Sequence, residues 1–389
     1  MARTPKIALL VETARGYGRN LLRGIVRYAR LHGPWGFYVT PGDFAQVLPQ
    51  MQLWGGAGII ARVETPQVAR AILASGLPTI ALDLAEDQLR AGHPLSRLSE
   101  VASDSRGAAR MAAEHLLERG FRHYAFVGLA ERVWSRRRQE GFAERIRTAG
   151  FEPHVYVPPR KVRDRRWERE QPVLAAWLRR LPRPVGLMAC NDDRGREVLE
   201  ACRAAGLQVP EELAVVGVDD DELLCELADP PLSSVALNAE AGGFRVAALL
   251  DRMMRGQVHQ PCRLVVEPLH VVTRRSTDIV AHEDPVVAGA LHFLHDHAGR
   301  PIGVGDVAEH LLVSRRTLEI RFKRVVGRTL LAELQRVRLE RAQRLLRETD
   351  LPLPKVAEAA GYRSAAYLIQ VFRKDLGQTP ARYRRQVRS

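Results

Sequence analysis

Cysteine is scarce in this chain of 389 residues, which contains only four. Cys190, Cys202, Cys225 and Cys262 form no closely spaced pairs, so the sequence predicts reduced thiols rather than a disulfide framework or a zinc site. No apolar run approaches the roughly 18 residues that a membrane-spanning helix needs. The run Ile7–Val11 is too short for a secretory signal and is typical of a buried strand. We therefore expect a cytoplasmic protein with no membrane partner.

Motifs of nucleotide binding and hydrolysis are also missing. The segment Gly16–Gly18 follows the first apolar run, but Leu21 stands where a dinucleotide fingerprint needs its third glycine. The sequence has no Walker motif, no His-Glu-x-x-His and no Gly-x-Ser-x-Gly. We interpret three neighbouring histidines as a surface cluster rather than a metal site: His292, His295 and His297. The sequence thus predicts no catalytic residue, no metal and no cofactor.

Positive charge is present, and it is concentrated near the C-terminus. Residues 286–389 carry 20 Lys and Arg against 10 Asp and Glu, a net charge of +10 out of +14 for the whole chain. A basic surface on one part of a chain is typical of a domain that binds the phosphates of nucleic acid. The alternative is a solvated basic surface without a partner.

Apolar runs alternate with amphipathic segments through the first 275 residues, which predicts parallel sheets of the doubly wound α/β kind. Ligands of such folds bind beyond the carboxyl ends of the strands. The residues that follow the predicted strands include carboxylates, an amide, an arginine and an aromatic ring, which is a set suited to a sugar. They are Asp83, Trp134, Arg138, Asn191, Asp192 and Asp219. Taken singly, each acidic residue is equally well explained as a helix N-cap.

The same region resembles the sensor domains of LacI/GalR-type regulators. The segment Asp104–Gly128, Arg138 with Gly141-Phe142, and the run Val216–Asp220 carry this resemblance. It implies two α/β lobes of the periplasmic-binding-protein type, joined by three crossover strands, with the effector in the cleft. It also implies that Arg138, Asn191 and Asp219 contact the effector, helped by Asp192 and Asp83. The family's DNA-binding headpiece is normally N-terminal, whereas here the first predicted strand begins at Ile7.

One pattern occurs twice in the last hundred residues and predicts a repeated helix-turn-helix. Val307-Ala308-Glu309 is followed by Ser314, Leu318 and Phe322. Val356-Ala357-Glu358 is followed by Ser364, Leu368 and Phe372, and the spacing from serine to leucine to phenylalanine is identical in the two copies. In each copy the serine is expected to cap the second helix, and the leucine and phenylalanine lie four apart and face the core.

Residues 286–389 resemble the AraC/XylS DNA-binding domain, an all-α double helix-turn-helix. The resemblance implies that both second helices enter successive major grooves. By position, the base-reading residues are Arg316, Glu319, Ile320, Ala366, Tyr367 and Gln370. Arginine suits guanine, glutamine suits adenine and glutamate suits cytosine. Leu312 departs from the family pattern, because a glycine often closes this turn, and Pro352 and Pro354 replace a polar helix start.

The sequence therefore predicts a sensor at 1–275, a linker at 276–285 and a DNA-binding domain at 286–389. This combination resembles bacterial regulators of pentose use, as do the segments Pro230–Ala236 and Thr273–Asp278 and the residue Trp35. The resemblance implies a transcriptional activator with D-xylose as effector, an operator on double-stranded DNA, a homodimer and contact with RNA polymerase. The alternatives are a sensor of another pentose or hexose, a carbohydrate-acting enzyme with a basic tail, and a transport binding protein.

Overall fold

A computed structural model of the chain describes residues 4–39, 48–159, 161, 165–279 and 284–388. They fall into two compact units, Met1–Asp278 (unit 1) and Ile279–Ser389 (unit 2). The division lies inside the predicted linker 276–285. Ser276 and Thr277 are fully buried and bonded within unit 1, so the first residues of that linker are part of its core. The boundaries 1–275 and 286–389 stay predictions.

Unit 1 contains two lobes, each built on a six-stranded sheet. The strands of lobe 1, numbered in chain order, are β1 (Lys6–Leu10), β2 (Gly36–Val39), β3 (Gly58–Arg62), β4 (Thr79–Leu82), β5 (Ser99–Ser103) and β11 (Arg263–Val266). Their order across the sheet is β11-β5-β4-β3-β1-β2, with every pair parallel. A strand that is buried on both faces needs apolar residues at every position, which explains the continuous apolar sequence of Ile7–Leu10.

The strands of lobe 2 are β6 (His123–Val127), β7 (Pro153–Val155), β8 (Val185–Ala189), β9 (Leu213–Asp219), β10 (Ser233–Leu237) and β12 (Pro268–Val272). Their order is β12-β10-β9-β8-β6-β7, and the β10–β12 pair is antiparallel. The helices of unit 1 are α1 (Gly16–His32), α2 (Met51–Trp54), α3 (Pro66–Ser75), α4 (Ser105–Glu118), α5 (Val133–Thr148), α6 (Trp167–Arg179), α7 (Asp192–Ala205), α8 (Glu222–Leu227) and α9 (Ala239–Met254).

The chain passes between the lobes at three places, which lie between β5 and α4, between β10 and α9, and between β11 and β12. Helix α4 packs on strands of lobe 2, whereas α9 packs along α1 in lobe 1. This confirms the predicted two-lobed fold of periplasmic-binding-protein type. The carboxyl ends of both parallel sheets consequently face the cleft between the lobes.

Unit 2 is helical in its described residues, and its helices are α10 (Pro285–His297), α11 (Val304–His310), α12 (Arg315–Val326), α13 (Leu330–Glu348), α14 (Leu353–Ala359), α15 (Ala365–Leu376) and α16 (Pro380–Arg388). The two copies of the repeat are α11–α12 and α14–α15. Leu318, Phe322, Leu368 and Phe372 are all fully buried, as predicted. Between the copies, α13 buries Leu334, Val337 and Ala342 on one face. Of the helices in the described part of the chain, none has the length and hydropathy to cross a membrane.

Candidate functional site

The cleft of unit 1 joins a buried arginine to a strand-end carboxylate. Arg138 lies in α5 with 3% of its surface exposed, and its Nη2 donates to Asp219 Oδ1 at 2.9 Å. Its Nη1 donates to the carbonyl oxygen of Cys190, at the end of β8. Trp134 lies one helical turn earlier, so its ring meets the guanidinium, with 5.0 Å between the ring centroid and Arg138 Cζ. The structure thus brings Trp134, Arg138 and Asp219 together.

Asp219 ends β9 in a conformation that few residues adopt. Its φ is 108°, and the next residue, Asp220, has a φ of 48°. Burial raises the pKa of the Asp219 carboxyl, and the charge and hydrogen bond of Arg138 only partly offset that rise. The carboxyl group is therefore poised to gain from a further hydrogen-bond donor.

Lobe 1 contributes a second buried ion cluster, which contains Asp83. Arg62, at the end of β3, donates Nη1 to Asp83 Oδ2 at 2.9 Å. It also forms a bidentate pair with Glu12, at 3.0 Å and 2.9 Å. The other oxygen of Asp83 accepts the backbone N–H of Ser103 at 3.1 Å. Burial opposes ionisation of Glu12, but the attraction and hydrogen bonds of Arg62 outweigh it and lower its pKa.

Tyr17, at the start of α1, connects the two clusters. Burial raises the pKa of its phenol well above the usual value, and the charge of Asp83 raises it further. Arg62, Glu12 and Asp219 are also close enough to influence this hydroxyl. One phenol is therefore surrounded by charged groups of both lobes.

Two buried polar atoms in this cluster are unsatisfied. Tyr17 Oη and Arg138 Nε have no hydrogen-bond partner among the described residues. Such a group costs about 1–3 kcal/mol when it is left unpaired. A ligand that carries both donors and acceptors would satisfy these atoms. We define the effector cluster as Glu12, Tyr17, Arg62, Asp83, Trp134, Arg138 and Asp219.

Asn191 and Asp192 support the neighbouring loops. Asn191 Oδ1 caps α7 by accepting the backbone N–H of Arg194 at 3.1 Å. Asp192 is 2% exposed, and its two oxygens accept from Ser234 Oγ at 2.6 Å and from the backbone N–H of Asp221 at 2.7 Å. Asn191 is thus the N-cap residue of α7. Asp192 thereby holds the loop that follows Asp219, and the contact of Asn191 and Asp192 with an effector stays a prediction.

Ion pairs join the two lobes around the cluster. Arg15, just before α1, pairs with Asp193 at 2.6 Å, and Nη2 of Arg19 donates to both carboxylate oxygens of Asp221, at 2.7 Å and 2.6 Å. On the other side of the cleft, Arg132 of lobe 2 pairs with Glu64 of lobe 1 at 2.5 Å. These pairs favour the closed arrangement of the lobes.

Glu12, Tyr17 and Arg62 were not predicted from the sequence, although signals for them were present. Glu12 directly follows the first buried run, and Arg62 ends a strand that the apolar pattern alone stops at Ile60. The flanking glycines of Tyr17 now have a structural reason. A Cβ on Gly18 would lie 1.9 Å from the backbone oxygen of Glu12, and one on Gly16 would lie 2.9 Å from Asp221 Cβ.

A surface cavity of about 490 Å³ lies beside this cluster rather than at it. It is lined by the start of α4 and by the side chains of Arg90, Arg137 and Arg263. It contains no member of the effector cluster. The candidate effector site is therefore defined by the buried polar groups of the cleft and not by this cavity.

In unit 2 the six predicted base-reading residues, Arg316, Glu319, Ile320, Ala366, Tyr367 and Gln370, are all exposed. They lie on α12 and α15, the second helix of each copy. The predicted caps are confirmed, because Ser314 Oγ accepts the N–H of Thr317 at 3.1 Å and Ser364 Oγ accepts that of Tyr367 at 3.2 Å. Glu319 pairs with Arg315 at 3.0 Å on the surface of α12. Arg321, also on α12, pairs with Asp284 at 2.8 Å.

The turn between the two helices of each copy needs a left-handed residue. In the second copy this is Gly361, with a φ of 83°. In the first copy it is Leu312, with a φ of 54° and 92% of its surface exposed. The first turn thus has the left-handed backbone that a glycine normally provides. Leu312 adopts the same conformation as Gly361 and is strained in it.

No metal-binding group of histidine, cysteine and carboxylate side chains occurs among the residues searched, which are those that the structure describes. The side chains of His292 and His295 lie outside these residues. His297 Nδ1 bonds to the backbone oxygen of Phe293 at 3.1 Å.

Comparison with known proteins covers nearly the whole chain. Residues 6–104 match the XylR N-terminal domain, residues 113–277 a periplasmic binding protein-like domain, and residues 307–386 a helix-turn-helix domain. The xylose operon regulatory protein of Haemophilus influenzae is 32% identical over 97% of this chain and 98% of its own. That of Escherichia coli K12 is 32% identical over 97% and 96%.

Solved structures give the same result. The structure of the xylose-binding transcription activator xylR superposes with a TM-score of 0.81 at 30% identity, covering 99% of this chain and 98% of that one. The complex of the transcriptional regulator CelR with cellobiose superposes with a TM-score of 0.57 at 26% identity, covering 70% and 85%. The second match covers a smaller share of this chain.

Proposed function

This chain belongs to the family of xylose operon regulatory proteins and is a sugar-responsive transcriptional regulator with a DNA-binding domain; we propose that D-xylose is its effector and that it activates genes of xylose use. The observation that supports a sugar most strongly is the effector cluster, where Tyr17 Oη and Arg138 Nε are buried and have no partner in the part of the chain that the structure describes. A polyol presents hydroxyls that both donate and accept, so it can satisfy a phenol, a guanidinium and a carboxylate together.

The proposed mechanism is a shift between open and closed lobes. D-xylose contacts the side chains of both lobes, and the pairs Arg15–Asp193, Arg19–Asp221 and Arg132–Glu64 close around it. The sugar shifts this equilibrium only by its differential affinity for the two arrangements. Asp83, Trp134, Arg138 and Asp219 act as direct contacts, and Asn191 and Asp192 hold the loops in place.

On DNA, we assign α12 and α15 to successive major grooves. Arg316 reads guanine, Gln370 reads adenine, and Glu319 accepts from cytosine after leaving Arg315. Ile320, Ala366 and Tyr367 contact thymine methyl groups. We further propose a cytoplasmic homodimer that contacts RNA polymerase and has no enzymatic activity.

Thermal-shift titration with a panel of monosaccharides tests the effector. We expect the melting temperature of unit 1, followed by tryptophan fluorescence, to rise most with D-xylose and less with D-ribose, L-arabinose or D-glucose. Every tryptophan of the sequence lies in unit 1, so this signal reports that unit alone.

Tyr17→Phe is the matched variant, because it removes only the unpartnered hydroxyl. We expect it to weaken D-xylose binding by about 1–3 kcal/mol while leaving the unliganded melting temperature nearly unchanged. A larger shift with another sugar would replace D-xylose as effector, and the absence of any shift across the panel would contradict a sugar site in this cleft.

A further inference from the structure

The last residues of unit 1 are bonded directly to the loop that carries Asp219. Unit 2 begins at Ile279, so every covalent path from the effector cluster to unit 2 runs through the segment 273–278, which we call the exit segment. Within it, Arg274 is largely buried, with 12% of its side chain exposed. Its Nη1 donates to Asp220 Oδ1 at 2.8 Å and to the backbone oxygen of Leu232 at 3.1 Å.

Asp220 is the neighbour of Asp219, and both have positive φ angles of 48° and 108°. Non-glycine residues in such conformations cost about 1–3 kcal/mol each and persist only where surrounding bonds hold them. Here Ser234 Oγ accepts the N–H of Asp220 at 3.0 Å, while Asp192 accepts from Asp221 N at 2.7 Å and from Ser234 at 2.6 Å. The ion pair with Arg274 is the side-chain contact that ties this strained turn to the exit segment.

The exit segment is fixed to the same strands along its length. Ser233 Oγ accepts the N–H of Arg274 at 2.7 Å and donates to its carbonyl oxygen at 2.8 Å. Ser276 Oγ donates to the carbonyl oxygen of Val215, in β9, at 2.6 Å. The turn after β9 and the exit segment therefore move together, and Arg274 joins them by charge.

We propose that Arg274 is a positioning residue that transmits effector binding from the Asp219–Asp220 turn to the exit segment, and so to the DNA-binding unit. A ligand that binds Asp219 fixes the strained turn, the turn fixes the carboxylate of Asp220, and that carboxylate fixes Arg274. This inference rests on the proposed function, since it assumes a sugar at Asp219 and DNA at unit 2.

The test compares the full-length wild type with Arg274→Ala, using two measurements. Calorimetry gives the dissociation constant for D-xylose. Fluorescence anisotropy gives the dissociation constant for a DNA duplex, measured with and without saturating D-xylose. This duplex is selected from a random library by its binding to the wild type. Allosteric coupling of this kind typically changes affinity by about 5- to 150-fold. For Arg274→Ala we expect sugar affinity and sugar-free DNA affinity within about threefold of wild type, and a ratio of DNA affinities with and without sugar that falls towards one.

Three further variants make the result specific. Glu226→Gln removes the second, exposed partner of Arg274 and should behave as wild type. Arg274→Lys keeps the charge and should restore part of the response. Asp220→Asn removes the charge while keeping a residue that tolerates a positive φ, so it should reproduce the uncoupling even if Arg274→Ala does not fold.

If Arg274→Ala and Asp220→Asn both kept the wild-type ratio of DNA affinities with and without sugar, this inference would be overturned while the proposed function would stand. A loss of sugar affinity beyond tenfold in both variants would also overturn it, because Arg274 would then support the binding site itself. A wild-type chain whose DNA affinity is unchanged by every sugar would overturn the proposed function, and this inference with it.

Discussion

The left-handed residue of each helix-turn-helix offers a matched pair of substitutions with opposite expected results. Leu312 has a φ of 54° and is 92% exposed, so Leu312→Gly removes strain without removing packing. The left-handed conformation costs a residue with a side chain about 1–2 kcal/mol. About 0.5–1 kcal/mol of the stability gained by removing this strain is lost again, because glycine has greater conformational freedom in the unfolded chain. We therefore expect unit 2 to be unchanged or up to about 1.5 kcal/mol more stable.

Gly361 occupies the equivalent position under different constraints. Its φ is 83°, and a Cβ there would lie 2.0 Å from the backbone oxygen of Ala298. For Gly361→Ala the same backbone strain of about 1–2 kcal/mol is added to about 1–3 kcal/mol for forcing the neighbouring backbone apart. Alanine regains about 0.5–1 kcal/mol, because glycine loses more freedom on folding. The expected loss is therefore about 1–4.5 kcal/mol, which lowers the melting temperature of a domain of this size by about 4 °C or more.

The assay uses the position of the tryptophans. All of them lie in unit 1, so far-ultraviolet circular dichroism reports both units while tryptophan fluorescence reports unit 1 alone. The two substitutions should shift the unfolding of unit 2, which is seen by circular dichroism only, and should leave the fluorescence transition of unit 1 unchanged. If Leu312→Gly and Gly361→Ala destabilised unit 2 equally, the reasoning from φ and from the Ala298 contact would be refuted.

The remaining predictions concern both units. Arg316→Ala should cost about 1–3 kcal/mol on the selected duplex and relax one base position, and an equal loss on random DNA would exclude a base contact. Asp219→Ala should abolish the response to D-xylose while sugar-free DNA binding persists, and an unchanged sugar affinity would remove this carboxylate from the site. Burial, with a smaller effect of Arg119, lowers the pKa of His115 from 6.5 to about 3. The unfolded chain therefore binds a proton that the folded chain does not, and stability is lost as the pH falls below 6.5. Between pH 7 and pH 5 the free energy of unfolding should fall by about 2 kcal/mol for this reason. His115→Gln should remove this pH dependence from the unfolding of unit 1, followed by tryptophan fluorescence. Equal pH dependence of the variant and the wild type would contradict a buried neutral imidazole.

The spacing of apolar residues was sufficient to predict the elements that follow a regular pattern of apolar and capping residues. Helices α12 and α15 begin directly after Ser314 and Ser364, the two caps that the repeated pattern predicts. The pattern did not predict β5, whose sequence is Ser-Glu-Val-Ala-Ser, although all five residues are buried. Its polar side chains bond to distant parts of the chain, for example where Glu100 Oε1 accepts the N–H of Leu84 at 3.0 Å, and no local pattern encodes such partners.

The candidate site shows the same division. Strand-end position and family resemblance were enough to select Arg138 and Asp219, because both depend on local order along the chain. Arg62 was not predicted because its partners Glu12 and Asp83 are distant from it in sequence, and Tyr17 was not predicted because its surroundings include groups of both lobes. Leu312 was correctly identified as unusual, but its strain became apparent only from the backbone angle and from comparison with Gly361.

The central claim is that a monosaccharide bound in unit 1 changes how unit 2 binds DNA. The most direct measurement is the affinity of the full-length protein for its selected duplex, by fluorescence anisotropy, with and without saturating D-xylose. We predict an affinity that is higher with D-xylose by about 5-fold or more, and no such effect in Asp219→Ala. Equal affinities with and without the sugar, in a protein that demonstrably binds both ligands, would contradict the account.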